Sequence, residues 1–231
     1  MSRIIASTIL LGALLWGAAP AAAEPAGVDP GYAAAPAFIA GRSPDMLGNW
    51  RVDYQRVVGG DPVIADRINE VIDAEARGQV ATYEPSATKT HPWTLNIEGT
   101  LQFAPMTVSA LFTGIYDTDL PNMPIETVAT RVFDNRSGIL LSWDNLFIDK
   151  QAGLNRLSAL TRAAMPGRQW GSEVAPVDDN FRYWLPTADG IDLHIPHGQF
   201  GRGVTVVSVP GAAIADLIAP VFARLIPAPV A

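Results

Sequence analysis

The chain is expected to fold as an α+β domain, with antiparallel strands in hairpins packed against about three helices. It would form one compact unit or two subdomains sharing a core. Three observations predict this. Helical and strand periods interleave: Ile64, Ile68, Val71 and Ile72 fall at helical spacing, whereas Trp93, Leu95 and Ile97 alternate. The β-rich runs 93–103, 107–116 and 125–133 follow one another across Gly, Pro and Asn turns, which suits hairpins. Asp61 and Asp149 each stand where a helix N-cap belongs, ahead of an apolar stripe.

Taken in order, residues 1–23 read as a signal peptide. Arg3 supplies the positive end, residues 4–19 an apolar run too short for an anchor, and Ala21-Ala22-Ala23 the small residues of a cleavage site. No Cys follows, so no lipid attachment is expected. Residues 24–46, rich in Ala, Pro and Gly, read as a flexible leader, and 47–225 as the folded domain with 226–231 as a tail. Residues 51–58 suit a strand. Asp61-Pro62 opens a helix that Gly78 is placed to end. After the three β runs, Asp134-Asn135-Arg136-Ser137-Gly138 is a tight turn. Asp149 caps a helix with the stripe Leu154, Leu157, Leu160 and Ala164, and Pro166-Gly167 ends it. Residues 181–185 and 191–195 flank Asp189-Gly190, a hairpin signal. The near-continuous apolar run 204–209 suggests a central strand. Pro210 then opens a last helix carrying Ile214, Leu217 and Ile218, which Pro220 closes.

Composition narrows the chemistry. With 16 Lys and Arg against 23 Asp and Glu, the net charge is −7, a poor match for nucleic acid or anionic lipid. There is no cysteine, which removes disulfides, thiolate metal sites and Cys nucleophiles. Stability must come from burial, which a 48% hydrophobic content can supply. His91, His194 and His197 are the only imidazoles.

The segment from Asp134 through Leu140-Leu141-Ser142-Trp143-Asp144-Asn145-Leu146-Phe147 into the Leu-rich helix resembles the D-x-x-T-G-K-x-x-T-L-x-D-L-F stretch of the RsiV-type extracellular domain. That domain occurs in lysozyme-sensing anti-sigma factors, some cell-wall deacetylases and secreted actinobacterial antigens. Ile68-Asn69-Glu70-Val71-Ile72 is similar to the family's I-N-x-x-I helix. Asn180-Phe181, the stretch 190–195 and the run 204–217 resemble its closing hairpin, strand and helix. The likeness covers roughly residues 50–220. It implies an extracellular α+β binding domain, with lysozyme as the partner in the sensor branch. The segment 114–124 lacks the histidine of the family's Gly-Gly-Ala-His-like loop, and neither a transmembrane helix nor a sigma-binding segment is expected. The soluble secreted branch therefore fits best.

Esterase activity has been proposed within that branch, so nucleophilic catalysis is the runner-up. Gly41-Arg42-Ser43-Pro44-Asp45 has Asp where a nucleophile elbow needs its last Gly. Asp192 and His194 point to one face of a strand, and with His197 they are the candidate orienter and base. The acid pairs Asp117/Asp119 and Asp178/Asp179 read as solvated loop residues rather than glycosidase carboxylates. Asp117-Thr118-Asp119 lacks the remaining ligands of a calcium loop. No metal and no cofactor are expected.

Most aromatic residues fall in patterned strands and read as core. Tyr116 and Trp170 are the two expected to be exposed. The leading expectation is a secreted, non-enzymatic binding domain without a membrane span after signal cleavage. Its contact loops would be 116–124 and 167–180, with Tyr116, Asp117, Asp119, Trp170, Asp178 and Asp179 facing an extracellular basic protein such as lysozyme. A cell-wall glycan stacked on Trp170 is the third reading.

Overall fold

The computed structural model describes residues 31–84 and 90–225. The expected signal peptide, residues 24–30 of the expected leader and the tail 226–231 lie outside the described residues. The architecture is α+β: a five-stranded sheet and a three-stranded sheet with helices.

The large sheet takes its strands in chain order, β1 (Tyr32–Arg42), β2 (Gly48–Gly59), β3 (Trp93–Phe103), β4 (Thr107–Thr118) and β5 (Ile125–Asp134). All neighbours are antiparallel except β2 and β3, which run parallel because helix α1 (Pro62–Tyr83) carries the chain from one to the other. The expected leader is corrected here, since residues 32–42 form β1, paired with β2 along its whole length. An Ala-rich stretch has weak strand propensity, but an edge strand needs only one partner. An edge also tolerates the missing N–H of Pro36.

Asp61 caps α1 as expected, accepting from the Val63 and Ile64 N–H groups, with Pro62 in the first turn. Gly78 does not end the helix, which continues through buried Gln79 and Val80 to Tyr83. Packing of that last turn outweighs the roughly 1 kcal/mol that a helical glycine costs. Ile68, Ile72 and Ala76 pack on one face of the sheet against Val52, Leu95, Ile97 and Phe112. Between β2 and β3 the pairing stops at Asp53 and Glu98. Beyond that point, side chains serve the backbone: Asn69 accepts from the Val57 N–H at 2.7 Å and donates to its carbonyl at 2.9 Å, and Gln55 accepts from the Leu101 N–H.

At the end of β5 the turn forms as its chemistry predicts. Asp134 accepts from the Arg136 N–H and the Ser137 hydroxyl, and Gly138 adopts φ +68°. Then come α2 (Trp143–Leu146), a short helix the sequence reading passed over, and α3 (Lys150–Ala164), capped by Asp149. Leu154 and Leu157 are buried and Leu160 partly so, but Ala164 is exposed, so the stripe stops one turn early.

The second sheet is antiparallel, with β6 (Trp184–Pro186), β7 (Gly190–Ile195) and β8 (Thr205–Pro210) in that order. The Asp189-Gly190 hairpin joins the first two strands as expected. Strand β8 is not central: it is an edge whose Val206 is 50% exposed while Val207 and Val209 are buried. The expected last helix is instead three 3₁₀ turns, 211–213, 215–217 and 220–225. Tertiary pairing prevents an α-helix there. Ile148 N–H donates to Leu217 O and Ala219 N–H to Leu146 O, which draws Ile218 into extended backbone beside Phe147.

Two cores result, one under α1 and one between β5, α3 and the small sheet, and β5 serves both. Its Ala129 and Phe133 face α1, while Val132 joins Trp143, Leu154, Leu193 and Val207 on the other side. Trp184 N–H donates to Thr130 Oγ1, and Trp143 stacks on Trp184 with 5.0 Å between ring centroids. No helix among the described residues is long and apolar enough to cross a membrane.

Candidate functional site

The small sheet and α3 lie over one end of the large sheet's second face and leave the rest of that face open. Strand alternation therefore sends Arg51, Asp53, Asn96, Glu98, Thr113, Ile115 and Glu126 to the surface. Register arranges them in two rows. Arg51, Asn96, Ile115 and Glu126 lie side by side across β2 to β5, and Asp53, Glu98 and Thr113 form the next row. The loop at Val204 closes one side, and the resulting groove has a volume of about 560 Å³.

The charges of this groove are unequally matched. Arg51 holds Asp53 through two hydrogen bonds of 2.6 Å, and those bonds keep the Asp53 carboxyl below the ordinary carboxylate range. The same guanidinium lies 4.9 Å from the centroid of Phe38, a ring 62% exposed on the edge strand. Glu126 accepts from the Val204 N–H at 3.0 Å, and Arg202 donates to the Met123 carbonyl, so the loop wall is fastened to the floor. Glu98 is exposed and has no hydrogen-bond or ion-pair partner among the described residues. It also stands directly opposite Asp53, and like charges facing each other across a strand pair disfavour folding. This surface can bind cations and hydrogen-bonding groups.

The expected site residues are placed differently from one another. Tyr116 is not exposed: it is buried, stacked on Tyr83 and tilted against Trp93, because its position on β4 points under α1. Asp117 and Asp119 are exposed. Asp117 sits on β4 opposite Thr94, on the open face, and Asp119 lies 2.8 Å from His91. Trp170 is partly buried, edge-on to Phe200, with Arg168 4.7 Å from its centroid, so it is half spent on packing. Asp178 binds Lys150 at 2.9 Å, and Asp179 is exposed beside it. The two acidic loops share no hydrogen bond or ion pair among the described residues.

Asp192 and His194 do share one face of β7, but they are not wired as orienter and base. The Ser208 hydroxyl donates to Asp192 at 2.6 Å rather than to an imidazole. Burial pushes the His194 pKa down, against the opposing pull of Asp192. His197 Nδ1 accepts from the Gly203 N–H, which fixes that ring as a brace for the 197–203 loop. Among the described residues no cluster of three or more His, Cys, Asp or Glu is placed to hold a metal.

Sequence reasoning missed the groove. Its signal was present in the polar positions 94, 96 and 98 that alternate with Trp93, Leu95 and Ile97. What was missing was the neighbour order that makes those positions the middle of a surface.

None of the protein-family models matches the chain, and no curated protein matches it. Solved structures do. A DUF3298 family protein from Pseudomonas aeruginosa PAO1 superposes with a TM-score of 0.57 at 10% identity, covering 85% of this chain and 96% of that one. A DUF3298 family member from Bacteroides fragilis NCTC 9343 gives a TM-score of 0.57 at 13% identity, with coverage of 84% and 96%. The fold is thus shared with DUF3298 structures, and at such identities the likeness speaks to the fold alone.

Proposed function

We propose that this chain is an RsiV-like, non-enzymatic binding domain that works outside the cytoplasm and captures a basic protein, with lysozyme as the leading partner. The observation that carries this reading is the uncovered, polar face of a sheet whose opposite face carries helix α1 and the buried core beneath it. A face left uncovered by the described residues, bearing a like-charge pair that folding does not reward, is suited to recognition. The signal-peptide pattern of residues 1–23 supports the compartment, and the net charge of −7 supports a cationic partner.

The esterase alternative has little support, since Asp192 accepts from the Ser208 hydroxyl instead of orienting an imidazole and His197 accepts from the Gly203 N–H. A glycan partner loses its expected contact because Trp170 packs on Phe200. Calorimetric titration of residues 24–231 with lysozyme at low and at physiological salt tests the proposal. Saturable binding that weakens as salt rises is expected, and the absence of heat at both salts would refute it.

A further inference from the structure

We propose that the partner docks on the open face of β2–β5 rather than on the loops, with a lysine or arginine of the partner seated beside Glu98. This rests on the reading of a basic protein partner and assigns the surface that receives it. Three observations converge on Glu98. It lies in a groove of about 560 Å³ with a wall at Val204, and the exposed Phe38 ring packs against Arg51 of the lining. Its neighbours are already matched, Asp53 by Arg51 and Glu126 by the Val204 N–H, so the uncompensated charge is in the middle of the floor. Across the strands, Thr113 stands opposite Glu98, and Ile115 provides 39%-exposed apolar surface for the stem of a long cationic side chain.

The charge pattern also excludes an acidic occupant. Arg51 is the groove's single cation, and Asp53 holds it in a two-bond fork. A nucleic acid or an acidic peptide would therefore meet the unpaired Glu98 carboxylate with no free cation in the groove lining to receive it. Asp117, on the same face, extends the negative surface toward the 116–124 loop. The loop acids are exposed and peripheral, where charge governs the rate of encounter, whereas Glu98 is inside the groove, where charge governs the lifetime of the complex.

The test is surface plasmon resonance with lysozyme as the probe and three variants of the chain. Glu98→Gln should raise the dissociation rate about tenfold, the effect of losing one charge-assisted contact. Thr113→Arg, which fills the floor and repels a cation, should abolish binding while the thermal midpoint stays unchanged. Asp117→Asn with Asp119→Asn should slow association and leave dissociation as it was. Wild-type binding with normal dissociation rates in E98Q and T113R would overturn the docking face and leave the basic-protein reading intact. Failure of the wild type to bind lysozyme, with T113R-sensitive binding of peptidoglycan fragments in its place, would overturn the partner class.

Discussion

Replacing Asn69 by Ala should destabilise the protein far more than the loss of one polar surface residue. Asn69 is 5% exposed on α1, and its amide makes both hydrogen bonds to Val57 at the point where β3 has left β2. With the amide gone, one buried N–H and one buried C=O lose their partners together. Each such loss costs about 1–3 kcal/mol, so about 2–6 kcal/mol in all. For a chain of this size each kcal/mol lowers the midpoint by about 2–4 °C, which gives a fall of at least about 4 °C. Asn69→Asp keeps the acceptor for the Val57 N–H but sets a carboxylate against the Val57 carbonyl, so at neutral pH it should be no better than Ala. Differential scanning calorimetry of the three proteins measures this directly. A midpoint within about 1 °C of wild type for the Ala variant would refute the claim that the amide replaces a missing strand.

Other outcomes follow from the same packing. Gly153→Ala should destabilise α3, because the new Cβ would lie 2.1 Å from a Phe147 ring carbon. The overpacking cost of about 1–3 kcal/mol exceeds the gain of about 1 kcal/mol in helix propensity, as denaturant unfolding would show. The Asp134 carboxyl is held below its ordinary value: burial raises it, but the hydrogen bonds from Arg136 and Ser137 prevail. Its contribution is therefore complete above the unfolded value of about 4 and is lost as pH falls through the lower folded value. Asp134→Asn should flatten the acid limb of the stability profile in that window, and an unchanged limb would assign the acid sensitivity to other groups.

Local chemistry is legible in the sequence wherever a few neighbouring residues settle the outcome. Asp61 with Pro62, Asp149, the Asp134–Gly138 turn and the Asp189-Gly190 hairpin all form where residue types alone place them. The α+β class follows from the interleaved periods for the same reason. The failures cluster where a distant element decides. Residues 32–42 look like a leader until β2 supplies their hydrogen bonds, and the run 204–209 looks central until the small sheet ends at it. Tyr116 reads as a loop aromatic, yet the extension of β4 to Thr118 turns it beneath α1.

The candidate site follows the same division. Composition, charge and the alternation at 94, 96 and 98 are properties of the chain itself, and they determined that some strand face would be polar and acidic. Only the tertiary structure decided that this face is a groove. A parallel crossover through α1 brings Asp53 opposite Glu98, residues separated by forty-odd positions, and the small sheet covers one end of the face while sparing the rest. The physical reason is that side-chain period is set within a strand, whereas strand neighbours are chosen by burial summed over the whole chain.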